Sequence, residues 1–218
     1  MRLTLALLVL LLSGCAGSSK PPTFDTPPDV TPDGLQRFDS PVFELVYVKP
    51  DLDLSSYNLI QIRPIGLGYK RDPAKGPMLL RPARNFELNP SQRTQVSRAF
   101  ARAFTEAMTG DQRYRQVIDP EAGAMQVKLA LARLEVNIPE AGADTTEKVT
   151  VDKAGEMTLV VEVSDSISGE PLVRGRDTYV VSGDGQSRAD LNLEISAVFT
   201  QWAIDIRNGF DQLSPGRN

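Results

Sequence analysis

Residues 156–181 read EMTLVVEVSDSISGEPLVRGRDTYVV, and the fold turns on them. Met157, Leu159, Val161 and Val163 alternate with Glu156, Thr158, Glu162 and Ser164, so a strand here has one buried and one largely wet face. Asp165-Ser166-Ile167-Ser168-Gly169-Glu170 follows as a turn, and the chain returns as a second strand over residues 172–181 that stops at Ser182-Gly183-Asp184-Gly185. Two such strands form an antiparallel hairpin. Asp165, Ser166 and Glu170 are polar enough to invite a functional reading, but Asp and Ser at a turn bond their own backbone, which assigns them to the turn.

Ahead of the hairpin, residues 125–138 form a longer strand whose alternation changes phase. Val127, Leu129 and Leu131 share one parity while Leu134, Val136 and Ile138 share the other. A one-residue slip near Ala132-Arg133 therefore predicts a β-bulge, or halves that face different partners. Residues 139–153, with Gly142, Glu140, Asp144 and Glu147, read as a polar hairpin loop without the ligand spacing of a calcium site. Behind the hairpin, Leu191, Ile195, Val198, Trp202 and Ile206 make one helical stripe over residues 189–208, with Gly209 as its stop.

A further helix begins upstream, where Asn89 caps, Pro90 takes the first helical position and Gln92 suits a capping box. Its apolar face carries Val96, Ala99, Phe100, Ala103, Phe104, Ala107 and Met108, and Gly110 ends it. Arg93, Arg98 and Arg102 lie off that stripe and read as solvated surface. Short strands are expected at residues 58–63, ended by Pro64, and at 114–118. The expected fold is α+β, a two-layer sandwich with a mainly antiparallel sheet of about four to five strands and two long helices on one face.

Composition narrows the chemistry. With 24 Lys and Arg against 28 Asp and Glu, the net charge of −4 gives no electrostatic reason to bind nucleic acid. The chain has no histidine, which removes the usual base near pH 7 and the commonest zinc ligand. Its one cysteine can form neither an internal disulfide nor a cysteine metal cluster, so stability rests on packing. No Gly-x-Ser-x-Gly elbow, phosphate loop or paired-histidine motif occurs, and Gly66-Leu67-Gly68 is too short to count as one. No cofactor, no metal and no catalytic residue are expected.

Met1-Arg2 is a short basic start, and residues 3–12 are an apolar run of about ten, well below the roughly 20 that span a bilayer. This is the pattern of a signal peptide. The following Leu12-Ser13-Gly14-Cys15 resembles the lipobox of bacterial lipoproteins. That resemblance implies cleavage before Cys15 and a thioether-linked diacylglycerol on it, and several acyl chains on one residue make a durable anchor. Ala16 and Gly17, where an aspartate would imply inner-membrane retention, imply export to the outer membrane with the body facing the periplasm. Proline-rich composition makes residues 15–40 a flexible linker, with residues 41–218 as a single domain.

The lipobox, Leu45-Val46-Tyr47-Val48-Lys49-Pro50 with Leu54-Ser55-Ser56-Tyr57, and Val161-Glu162-Val163-Ser164-Asp165-Ser166 with Gly169-Glu170 together resemble the bacterial lipoproteins of the domain of unknown function family 3313. The resemblance implies an envelope location and one α/β domain. It carries over no catalytic residue. The most concentrated basic stretch, Lys70, Arg71, Lys75, Arg81 and Arg84, is a candidate anion-binding loop for phosphate or carboxylate groups of the envelope. The expected function is a non-enzymatic binding or assembly module, anchored in the membrane by lipid, whose partner is an envelope protein or an anionic envelope component. A hydrolase using carboxylates alone and a structural subunit of a secretion or transport complex are the alternatives.

Overall fold

The computed structural model describes residues 27–69, 88, 90–136 and 148–214. In chain order the elements are β1 (Gln36–Phe38), β2 (Leu45–Val48), a 3-10 turn (Leu54–Ser56), β3 (Leu59–Ile62), β4 (Gly66–Tyr69), α1 (Pro90–Thr109), β5 (Arg115–Gln116), β6 (Ala124–Val136), β7 (Lys148–Asp165), β8 (Pro171–Ser187) and α2 (Arg188–Gln212). Eight strands form one sheet in the order β1-β2-β8-β7-β6-β3-β5, and β4 also pairs with β6.

One row of apolar side chains runs across this sheet because the registers keep parity. Val127 faces Val163, Leu129 faces Val161 and Leu131 faces Leu159 between β6 and β7. The row continues through Val173 and Gly175 of β8 to Val48 and Val46 of β2, and on the other side through Ile60 of β3 opposite Met125. Phe100, Phe104 and Met108 of α1 and Val198, Phe199, Trp202, Ile206 and Phe210 of α2 share the same core as this row, so both helices cover one face. Their seam is aromatic: the Phe100 and Phe199 rings lie 5.0 Å apart, and Trp202 meets both at 6.4 Å. Each ring pair adds about 0.5–1.5 kcal/mol beyond burial of its area.

The bulge is where the alternation places it. The β6–β7 register slips between Ala132 and Glu135, and Arg133 takes a left-handed φ of 52°. The extra residue turns Leu134 back to the helix face, where it joins Met157 in the same core, so both halves of β6 serve one core. The turn from Asp165 to Glu170 is also self-bonded as expected: Asp165 Oδ1 accepts the backbone N–H groups of Ile167 at 3.0 Å and Ser168 at 2.8 Å. Those donors, the Ser168 amide first, hold the Asp165 carboxyl below the usual range.

Four expectations are corrected. The sheet is larger than four to five strands, and it is mixed: β3 pairs with both β5 and β6 in parallel, as β4 does with β6. The cause is α1, which lies between β3 and β6 as a crossover and returns the chain to the end where β3 began. The outer face of β7 is not simply wet, because Thr158 is only 3% exposed and its hydroxyl lies 3.2 Å from that of Thr178. Residues before 40 are not all linker: Leu35 is buried, β1 pairs with β2, and Tyr47 donates its hydroxyl hydrogen to the Pro28 carbonyl at 2.8 Å. Finally, Gly209 does not stop α2, which continues to Gln212 with Leu213 N–H bonded to the Gly209 carbonyl at 3.2 Å.

Arg207 locks the two helices. It is 9% exposed, and its guanidinium donates to Asp111 Oδ2 at 2.6 Å, Asp111 Oδ1 and Asp211 Oδ1 at 3.1 Å, and the Ala107 carbonyl at 3.2 Å. The same group lies 5.4 Å from the centre of the Tyr114 ring. The last turn of a helix leaves carbonyls without internal partners, and here an arginine of the neighbouring helix supplies one. The Asp111 hydrogen bond pushes Arg207 further up, and Arg207 holds Asp111 down at about 2 from 3.8. The Asp111 side chain is 58% exposed, so solvent screens this pair, and most of the value of Arg207 lies in its backbone bond and packed stem. Arg207→Met is expected to lower the unfolding free energy by about 2 kcal/mol at neutral pH, read by urea denaturation. Because Asp111 is depressed on folding, its share is complete above the unfolded value of 3.8 and is lost as pH falls toward 2. The gap between the two proteins should narrow across that window, and a constant gap would count against the pairing.

Candidate functional site

Among the described residues, a space with room for a ligand lies between the C-terminal half of α2, the β2 end of the sheet and residues 38–43. It is a cavity of about 170 Å³. Its floor is part of the apolar row: Val46 and Val48 of β2, Val173 and Gly175 of β8, and Val161 of β7. Phe43 lies over this floor at Gly175, where a Cβ would meet the Phe43 ring and Val161 Cβ at 3.8 Å, an ordinary contact distance.

The roof is α2. Ile206 and Phe210 are buried, whereas the exposed Asn208 and Gln212 line the solvent side. Between them Gly209 sits inside the helix, where glycine costs about 1 kcal/mol relative to alanine. No atom lies within 4 Å of a Cβ built at Gly209, so nothing in the packing excludes a side chain there. It is one of the residues that line the cavity.

The third wall is a strap of residues 39–44. Ser40 Oγ accepts the N–H groups of Val42 at 3.3 Å and Phe43 at 3.1 Å, which fixes the bend around Pro41. Glu44 then grips β8 on both faces of the sheet. Its N–H donates to Asp177 Oδ1 at 3.3 Å, and its carboxylate takes bonds from Arg176 at 2.8 Å and Thr178 at 3.1 Å. Asp177 Oδ2 accepts Trp202 Nε1 at 2.7 Å, so one carboxylate ties the strap and α2 to the same strand. At the other end, the Leu54 N–H donates to the Leu213 carbonyl at 2.7 Å and fixes the end of α2. The site is therefore held at both ends.

The chemistry of the wall is apolar. Its buried members are Val48, Val161, Val173, Gly175, Ile206 and Phe210, none of which offers a side-chain hydrogen-bonding group. Asp205 reaches the lining but accepts Gln201 Nε2 at 2.9 Å. Among the described residues no cluster of three or more His, Cys, Asp or Glu side chains could hold a metal. Among the described residues, hydrogen bonds lower three carboxyls: Asp33 to about 2, by the Thr31 hydroxyl and then by Arg174, besides Asp111 and Asp165.

The candidates marked by sequence fall elsewhere. Cys15 and the basic loop residues Lys70, Arg71, Lys75, Arg81 and Arg84 lie outside the described residues, as do Glu140, Asp144 and Glu147. Arg93, Arg98 and Arg102 are exposed on α1, and Arg93 Nε bonds the Leu88 carbonyl at 2.8 Å. Sequence reasoning missed the cavity. Its only signals were a glycine inside each of two regular elements, at 175 and 209, and both invite the reading of a weak strand or a helix stop.

A family model described as "Protein of unknown function (DUF3313)" matches residues 31–189. No curated protein matches the chain. Among solved structures, the PelC dodecamer from Paraburkholderia phytofirmans is similar at 12% identity and a TM-score of 0.39, covering 74% of this chain and 94% of that one. A DUF330 protein from Xanthomonas campestris is similar at 12% identity and a TM-score of 0.41, covering 73% of this chain and 86% of that one.

Gly209→Ala is expected to raise the unfolding free energy by about 0.5–1 kcal/mol, since the methyl enters open space and the helix gains propensity. A urea titration showing destabilisation would mean that the wall at Gly209 is closed.

Proposed function

We propose that this chain, which belongs to the family described as protein of unknown function DUF3313, is a non-catalytic binding module of the bacterial envelope, anchored in the outer membrane through Cys15 and facing the periplasm. One observation carries the binding reading. The cavity between α2, the strap and β2 is walled by apolar side chains, yet a glycine at 209 leaves it unfilled. A core that served packing alone would gain by closing this space, since an unfilled cavity forfeits contacts on every side. A site for an apolar group explains why it stays open.

The anchor reading rests on the sequence: the short apolar run, the lipobox-like residues before the only cysteine, and a proline-rich segment behind it. Its test is chemical. Cys15→Ser should abolish incorporation of labelled palmitate and move the protein out of the membrane fraction. A variant still acylated and membrane-bound would refute the anchor.

Binding is tested separately with N-phenylnaphthylamine, an uncharged fluorophore that brightens in apolar surroundings and whose phenyl ring is of the cavity's size. Saturable brightening is expected with the wild-type chain, weakened about tenfold or more by Gly209→Leu, whose side chain occupies the site. Equal binding by the two proteins would remove the cavity from the function.

A further inference from the structure

We infer that the cavity takes one acyl chain of a membrane lipid, presented from the bilayer surface through a mouth formed by Phe38 and Val42; this rests on the binding reading above and names its ligand. The first argument is the match of chemistry and size. A cavity of about 150 Å³ lined by aliphatic and aromatic side chains takes up benzene and stays dry without it. At about 170 Å³ this one holds a comparable apolar body, roughly six carbon atoms of a chain. The buried wall offers no side-chain hydrogen bond, so it favours a ligand free of polar atoms over that length. The end of an alkyl chain meets that condition and leaves its headgroup outside.

The second argument is the surface around the mouth. Val30, Phe38 and Val42 are 53%, 42% and 51% exposed, and all three lie at the β1 edge of the sheet. Val30 bridges to Gln36 of β1, Phe38 ends that strand, and Val42 belongs to the strap that follows it. Apolar side chains gathered at one edge suit contact with the outer part of a bilayer better than water.

The third argument is where the chain leads. The Arg37 N–H donates to the Asp29 carbonyl at 2.8 Å, so the segment entering the body runs beside β1, the strand that carries the mouth. From Pro27 back to Cys15 a fully extended chain reaches at most about 40 Å. A body anchored at Cys15 is therefore confined near the bilayer, and the end of the body nearest its anchor is the end that opens.

Trp202 supplies the measurement, as the only tryptophan in the chain and one helical turn before Ile206 in the roof. Full-length Cys15→Ser protein, free of its own acyl chains, is mixed with phosphatidylcholine vesicles whose acyl chains are brominated or not. Bromine quenches indole at short range, so brominated vesicles are expected to quench Trp202 saturably. Gly209→Leu should abolish the effect with its far-ultraviolet circular dichroism unchanged. Val42→Asp, an exposed position whose change leaves the fold intact, should weaken it about tenfold or more. Leu193→Ser, exposed on α2 about 24 Å along the helix from Gly209, should leave it unchanged. Absence of quenching while N-phenylnaphthylamine still binds would overturn the acyl-chain inference and leave the binding reading standing; loss of both would overturn the two together. Quenching by free brominated stearate but not by vesicles, or quenching that survives both Gly209→Leu and Val42→Asp, would also overturn the inference. So would an acyl group found in the cavity only when Cys15 is lipidated, which would make the occupant the protein's own anchor.

Discussion

The register of β6, β7 and β8 is the constraint on which the molecule depends. Three long strands must present their apolar side chains to the same side, because a slip of one residue in either ladder would turn the row toward water. Val127, Val163 and Val173 lie abreast, as do Leu129, Val161 and Gly175, and everything on the helix face packs against these rows. The bulge at Arg133 belongs to the same constraint. It changes the parity of β6 where the sequence changes its alternation, and so keeps Leu134 in the core.

The helices are held to this row by dispersion and burial, and their position along it is set by charge. Arg207 ties the end of α1 to α2 through Asp111, Asp211 and a free carbonyl, while Asp177 receives Trp202 from α2 and Glu44 from the strap. Asp177 accepts one hydrogen bond from each of two different elements and thereby sets the distance between them. The cavity lies along β8 from this fixed point, in the space where α2 and the strap diverge.

Two glycines line the cavity. A Cβ at Gly175 would meet the Phe43 ring and Val161 at ordinary contact distance, whereas one at Gly209 would meet open space, and glycine is costly inside a helix. In a chain with one cysteine, whose folded body has packing as its main resource, an unfilled apolar space beside α2 forfeits contacts that the core could otherwise make.

Much of the architecture was legible in the residues themselves. The alternation of Met157 to Val163, the parity change after Leu131, and the stripes from Val96 to Met108 and from Ile195 to Ile206 are local patterns of period two or 3.6, and local periodicity determines element type. Strand order is not local. That β2 closes against β8, that β3 runs parallel to β6, and that Thr158 and Tyr47 are buried on the second face depend on which segments meet, and a short stretch such as residues 45–48 pairs equally well with many edges. The cavity lay further still from the sequence, because its walls come from residues 38 to 213 and its defining feature is an absence of atoms. By itself the sequence determined the two helices, the central hairpin, its long neighbour β6, their apolar faces and the bulge, since these are fixed by contacts between near neighbours; tertiary structure alone decided the short strands β1, β2 and β4, the sheet order and the open apolar site, which arise only where distant segments pack.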